Sequence, residues 1–252
     1  MASNNDLERW SPLVLARISG ILGLIGIAFG AFDIGHIRGA LIVAGNPSLT
    51  VHNILAHETL FRLGFTGHLL EMLCNAVAEV IGFYLFWRVN LLVAAIALFC
   101  GFLGIAVESL DMLNSYVPLK LAAEAGSMGA FSPEQLQGLA YFSVQLQDTG
   151  LVISFLFYGM DELLSGYLVF RSRFLPRFLG VLGGIAGFCY VTNTLLSFAA
   201  PALHARLTPY ILYACFPGEA LGSLWLATIG LNVVKWRAWR TDAPASPPIH
   251  QP

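Results

Sequence analysis

Six apolar blocks, each long enough to cross a bilayer, constrain this chain more than any other feature. A spanning helix needs about 20 predominantly apolar residues. Such blocks run from about Pro12 to Gly35, Arg62 to Trp87, Leu91 to Tyr116, Leu139 to Phe170, Phe178 to Ala200 and Pro209 to Val234. Of the 252 residues, 57% are hydrophobic and 11% charged. Soluble domains carry about 25% charged residues, and a water-soluble fold of this size has no interior for so much apolar surface. The pattern predicts an all-α polytopic membrane protein: a six-helix transmembrane bundle over 12–240, a cytoplasmic N-terminus over 1–11 and a disordered cytoplasmic tail over 241–252, rich in proline and alanine. Net charge is near zero, so nothing points to nucleic acid.

Local signals mark several helix starts. Ser11-Pro12, Ser132-Pro133 and Thr208-Pro209 each put a hydroxyl at an N-cap and a proline at the first helical position. Gln135 follows Ser132 by three residues and completes a capping box. The N-terminus opens on Ser3, Asn4, Asn5 and Asp6 and leads into an apolar block too long for a secretory signal. The segment Thr50 to Phe61 mixes Val51, Ile54, Leu55 and Leu60 with His52, Asn53, His57 and Glu58. It reads as a short extracytoplasmic amphipathic helix on the membrane surface. Cys74, Cys100, Cys189 and Cys215 lie far apart in apolar blocks, with no metal or redox spacing.

Positive charge sets the expected orientation. With six spans, Arg9, Arg17, Arg88, Arg171, Arg173, Arg177, Lys235, Arg237 and Arg240 share one side with both termini, against Arg38, Arg62, Lys120 and Arg206 on the other. The basic side is expected to be cytoplasmic, in a multi-pass protein of the cell membrane.

Polar residues inside the spans carry the functional signal, because a charge at mid-membrane costs about 2.5–3.5 kcal/mol on insertion scales. At about 100° per residue, His68, Glu71, Asn75 and Glu79 share a face of the second span, and Glu108, Asp111 and Ser115 share one on the third with Gly101 and Gly104. The fourth span carries Gln145, Asp148, Asp161 and Glu162; the fifth Tyr190, Asn193, Thr194 and Ser197; the sixth Glu219 after Pro217-Gly218; the first ends with Asp33 and His36. By depth, most fall in the outer half, and the inner third is almost purely apolar. These faces predict a wet, outward-opening, carboxylate-rich pocket. Seven or more carboxylates facing lipid would cost on the order of 20 kcal/mol. They are therefore expected to meet one another, water or Arg62, with some holding their protons at neutral pH.

Several motifs resemble a known family. Ala16-Arg17-Ile18-Ser19-Gly20, Asn53-Ile54-Leu55-Ala56-His57-Glu58 with Phe61-Arg62-Leu63-Gly64-Phe65, Phe131-Ser132-Pro133-Glu134-Gln135-Leu136, Gly166 to Ser172 with Phe174-Leu175-Pro176-Arg177, and Gly218-Glu219 are similar to the bacterial membrane family known as domain of unknown function 4386. The resemblance covers nearly the whole chain. It implies a six-helix bacterial membrane protein and no particular activity. The chain departs from that family's pattern at His68, where an acid is common, and at Gln147, where a histidine is. Asp111, Asp148, Asp161 and Glu162 look like additions of this chain.

Three functional readings stand. In the first, an acid–base enzyme acts on an apolar lipid or isoprenoid by isomerisation or cyclisation, since a carboxylic acid kept neutral in an apolar pocket is a strong proton donor. Glu108 or Glu219 is then the acid, His68 and Glu71 tune or reprotonate it, and Asp111 or Asp148 stabilises charge. Arg62, Asn193, Tyr190, Phe102 and Tyr213 are the candidate substrate-binding residues, the aromatics by cation–π contact. The second reading is a proton- or cation-coupled carrier, for which no inverted repeat is evident. The third is a metal site built on His36, His68 and nearby carboxylates. No cofactor is implied, and the expected partners are membrane lipids and an apolar small molecule.

Overall fold

A computed structural model describes residues 10–124 and 129–241, apart from the side chains of Leu212, Arg240 and Thr241. The expected N-terminal segment before Trp10 and the expected tail after Thr241 lie outside the described residues. Among those described, eight helices follow one another: α1 (Pro12–Leu41), α2 (Pro47–Ala56), α3 (Glu58–Phe86), α4 (Leu91–Glu124), α5 (Pro133–Ser172), α6 (Arg177–Ala199), α7 (Pro201–Thr228) and α8 (Val233–Thr241). Five of them (α1, α3, α4, α5 and α6) are by themselves long and apolar enough to cross a membrane, and α7 taken with α8 makes six. The chain is an all-α polytopic bundle.

Proline opens α1, α2, α5 and α7, where its missing N–H is no loss. The capping box at Ser132 is present, with Gln135 N–H donating to Ser132 Oγ at 3.3 Å and Ser132 N–H donating to Gln135 Oε1 at 2.8 Å. Thr208-Pro209 is not a helix start. The Thr208 hydroxyl donates back to the His204 carbonyl at 2.8 Å, inside a helix that began at Pro201. That end of the span was hard to read because the turn from α6 into α7 is a single residue, Ala200. At the other end α7 stops at Thr228 rather than Val234. Gly230 takes the left-handed conformation (φ 76°), its N–H caps the Trp225 carbonyl, and α8 leaves at 101° to α7.

The short helix before the second span is Pro47–Ala56, and Glu58 to Phe61 belong to α3. It does not float on the surface. Thr50 and Ile54 are fully buried, and the Thr50 hydroxyl accepts from Val43 N–H and donates to the Val43 carbonyl. α1 continues past Gly35 to Leu41 by switching to π-helical winding over Ala31–Arg38.

The spans pack in chain order. Each neighbours the next (α1, α3, α4, α5, α6, α7), and α7 closes back on α1. Glycines bring the backbones together. A Cβ on Gly166 would stand 2.7 Å from the Gly180 carbonyl oxygen, and one on Gly187 would stand 2.6 Å from the Gly159 oxygen. In a bilayer such small-residue contacts supply close van der Waals packing where no hydrophobic drive exists between helices.

Apolar layers close both ends of the ring. At the basic end Ala16, Ile81, Leu85, Phe86, Leu168, Phe174 and Trp236 pack together. At the opposite end Ile37, Leu41, Ile54, Phe61, Leu119 and Val144 form a second layer beneath α2. The expected outward opening is therefore covered, because α2 lays Ile54 against α1 and α4 residues instead of lying on lipid. An open groove of about 600 Å³ does lie outside this layer, lined by Asn46, Leu49, His52, Leu55 and Gln137, and none of its lining residues is an acid.

The close approach of α5 and α6 is testable. Gly166→Ala forces the two backbones apart and should cost about 1–3 kcal/mol, read as a fall in the midpoint of thermal unfolding in detergent. Gly222→Ala, where nothing lies within 4 Å of an added Cβ, should leave the midpoint unchanged or raise it, by up to about 1 kcal/mol.

Candidate functional site: a buried histidine between carboxyls

The π-helical stretch of α1 adds a residue to the turn and re-aims two side chains inward, a common use of such windings. Asp33 and Arg38 are both buried there. Asp33 meets His68 on α3, with Oδ2 at 2.9 Å from Nδ1. The other ring nitrogen, Nε2, is 2.9 Å from Glu108 Oε1 on α4. The second Glu108 oxygen accepts from the Tyr158 hydroxyl of α5 at 2.6 Å. His68 is 1% exposed, Asp33 6% and Glu108 7%. Four helices thus contribute to one hydrogen-bonded chain, Asp33–His68–Glu108–Tyr158.

A carboxylate only accepts, so each of the two contacts to the imidazole ring needs a proton between its two atoms. Tyr158 contributes its own. Moving a proton along this chain shifts charge between α1 and α4 without changing the total.

Glu71 lies one turn beyond His68 on α3 and interacts electrostatically with His68, Glu108, Asp33 and Glu219. Its Oε2 is buried and has no hydrogen-bond partner. Glu219 of α7 is held by the Tyr190 hydroxyl of α6 and interacts in turn with Glu162. Toward the basic end Glu79 of α3 and Asp161 of α5 interact directly, and Ser165 Oγ donates to Asp161 Oδ1 at 3.1 Å. A cavity of about 20 Å³, room for about one water, is lined by Glu79, Asp161 and Ser165 among apolar groups. From His68 to Glu79 the acids descend about 16 Å along α3. Carboxyls from α3, α4, α5 and α7 do converge, in a filled ladder rather than an open recess.

Glycine makes the ladder possible. A Cβ on Gly30 would stand 3.0 Å from both Glu71 oxygens, one on Gly64 would stand 2.6 Å from Asp33 Oδ1, one on Gly101 would meet the Glu79 carboxyl at 2.6 Å, and one on Gly104 would meet the Tyr158 ring at 2.7 Å. Gly150 leaves the same kind of space for Asp111. Each of these groups lies over a bare backbone on a neighbouring helix.

Other expected site residues fall elsewhere. Arg62 is an outer residue, bonded to Glu58 at 2.7 Å and to the Tyr116 hydroxyl at 2.9 Å. The interior cation is Arg38, which donates to Gln147 and Asp148. Sequence position alone put it in a loop; the longer α1 carries it into the bundle. Asp148 is itself largely exposed, so this pair links the interior to the rim. Asp111 is buried and accepts from Asn114 Nδ2 at 2.9 Å. Tyr213 (78% exposed) and Phe102 (39%) point outward, away from any pocket, because the acids occupy the opposite faces of their helices. Asn193 is 1% exposed and its Oδ1 is without a partner. His36 stacks on Phe32, and among the described residues no group of three or more His, Cys, Asp or Glu side chains is arranged to hold a metal ion. Sequence reasoning missed Asp33 as the partner of His68 and Tyr158 as the partner of Glu108. The signal available for Asp33 was its i, i+5 spacing to Arg38, which only a π winding turns to one side.

Residues 18–230 match the family described as Domain of unknown function (DUF4386). The chain belongs to that family. An uncharacterized protein of Archaeoglobus fulgidus is 34% identical over 80 residues, covering 32% of this chain and 46% of that protein. This DUF4386 member therefore spans about half the length of that relative. No solved structure matches.

The buried site makes a stability prediction. His68→Leu leaves Asp33 and Glu108 without their shared partner and should cost about 3–5 kcal/mol. Adding Asp33→Asn and Glu108→Gln to that variant should recover part of the loss, since neutral amides bear burial better. Arg62→Ala should cost under about 1 kcal/mol, as for exposed i, i+4 pairs. Unfolding midpoints in one detergent check all three.

Proposed function

We propose that this DUF4386 member is an intramembrane acid–base enzyme acting on an apolar substrate that enters sideways from the lipid. One observation carries the reading: a buried histidine bridges two carboxyls, backed by a tyrosine, beside a third carboxyl whose Oε2 has no partner. Such an assembly stores and moves protons without solvent. Glu71 is the group that meets substrate, because the oxygens of Glu108 and one oxygen of Glu219 are already engaged. His68, Glu108 and Tyr158 return the proton to it, and Asp33 orients the ring. Apolar layers at both ends favour a lipid-soluble substrate of the isoprenoid or acyl-chain type over a polar one. Phe65 and Tyr158, which pack against Met72, Ile105 and Met112 near His68, supply aromatic faces for a developing positive charge. The same reading sets the basic end and both termini in the cytoplasm, by the excess of arginine there.

A second reading, proton-coupled transport, rests on the descent of acids to Glu79 and Asp161, a pattern suited to proton relays. The two separate by experiment. Protein purified from cells as wild type and as Glu71→Gln is extracted, and bound apolar molecules are resolved by chromatography and mass spectrometry. The enzyme reading expects both proteins to hold an apolar ligand, with the variant retaining the unreacted isomer at a different retention time. Identical ligand profiles, together with a pH change inside wild-type proteoliposomes that Glu71→Gln abolishes, would sink the enzyme and establish the carrier.

A further inference from the structure

The basic end has its own architecture. Residues 10–32, 80–107, 163–218 and 220–241 contain no Asp or Glu, so the described part of this end is free of carboxylates. Arg17, Arg171, Arg173, Arg177, Lys235 and Arg237 are exposed there. What partners they show are not carboxylates: Arg17 donates to the Thr228 carbonyl at 3.4 Å, and Arg177 sits over the Phe170 ring.

These cations gather around α8. Asn232 N–H, at the corner before α8, donates to the Phe174 carbonyl at 2.9 Å, which fixes Arg173 beside that corner. Trp236 is buried and its Nε1–H donates to the Leu85 carbonyl at 3.0 Å, which pins α8 across the end of α3. With Trp236 turned in, Val234, Lys235 and Arg237 are left on the surface. All five tryptophans of the chain (Trp10, Trp87, Trp225, Trp236 and Trp239) lie at this same end, the level at which tryptophan collects in a bilayer.

One backbone feature argues that the charge itself is wanted. Arg173 caps α5 in the left-handed conformation (φ 61°) and is the one non-glycine residue among those described with positive φ. Glycine is the usual residue there, and a side chain at that position carries strain. Arginine stands where the fold alone would favour glycine.

We propose that α8 and the surrounding arginines form a docking surface for anionic phospholipid headgroups. α8 lies in the headgroup plane, Lys235, Arg237 and Arg173 contact lipid phosphates, and the tryptophans set the depth. Each such cation near an anionic surface strengthens attraction by about fivefold, and among the described residues of this end no carboxylate competes for them.

The tryptophans make the test direct. Wild-type protein is reconstituted into vesicles of phosphatidylcholine mixed with phosphatidylglycerol, one of the two carrying brominated acyl chains, and tryptophan quenching gives the relative binding of the two lipids. Phosphatidylglycerol should be preferred severalfold at low salt, with the preference shrinking as salt rises. Free inorganic phosphate at matched concentration should leave it unchanged. Arg173→Gly, which relieves the backbone and should fold at least as well, should remove part of that severalfold preference, and Lys235→Gln/Arg237→Gln a larger part of it. Equal quenching by the two lipids in wild type would overturn the proposal, as would a preference that survives the variants or one that inorganic phosphate removes.

Discussion

A buried carboxyl needs a hydrogen-bond donor, and in a bilayer it has nowhere else to find one. This requirement organises the middle of the bundle. His68 answers it for two carboxyls at once, with 2.9 Å contacts to Asp33 and Glu108. Because the three groups sit on α1, α3 and α4, the hydrogen bonds also fix how those helices are rotated. The π winding of α1 follows from the same need: a regular helix through Ala31–Arg38 would not turn both Asp33 and Arg38 into the ring. Tyr158 then brings in α5, and Tyr190 with Glu219 ties α6 to α7.

Glycine is the other half of the arrangement. Polar side chains at helix–helix contacts need depth, and the ring supplies it by setting Gly30, Gly64, Gly101, Gly104 and Gly150 opposite acids or Tyr158. Elsewhere glycine faces glycine, as at Gly166 and Gly180, and the backbones touch. The two uses divide the bundle. α5 and α6 are pressed together along much of their length, whereas α1, α3 and α4 are held by side chains reaching into glycine-lined space.

Much of this was legible in the sequence. Blocks near 20 residues gave the spans, and the shared faces of His68, Glu71 and Glu79 and of Glu108 and Asp111 gave the inward sides, because periodicity is a property of one helix. Gly101 and Gly104 were visible on the acid face of the third span, although not their role in making room for Glu79 and Tyr158. What periodicity could not give was partnership. Arg62 looked like the interior cation from its place at the start of a span, yet Glu58, one turn back, holds it outside. Arg38 looked like a loop residue because its i, i+5 spacing from Asp33 faces one side only once α1 is wound as a π helix. The covered outer end was missed for a related reason: an amphipathic stretch of ten residues reads the same whether its apolar face meets lipid or protein, and only the burial of Thr50 and Ile54 separates the two.

Closure at both ends changes what chemistry the acids can serve. An open, wet recess would let carboxyls exchange protons with solvent one by one. Between two apolar layers the acids have one another as nearest partners, an enclosed store of protons rather than a row of solvated carboxylates. An acid in such a store is a strong donor to an apolar partner and a poor binder of polar ones, since any polar ligand must leave its water behind at a cost of several kcal/mol. Glu71 Oε2, buried and without a partner, is where that store meets unoccupied bonding capacity. The unmatched oxygen carries a desolvation cost of about 1–3 kcal/mol. Gln at the same position would fill the space with a donor and an acceptor. A carboxyl kept at that cost, one turn from a histidine that two other acids already hold in place, is the arrangement expected of a group that reacts.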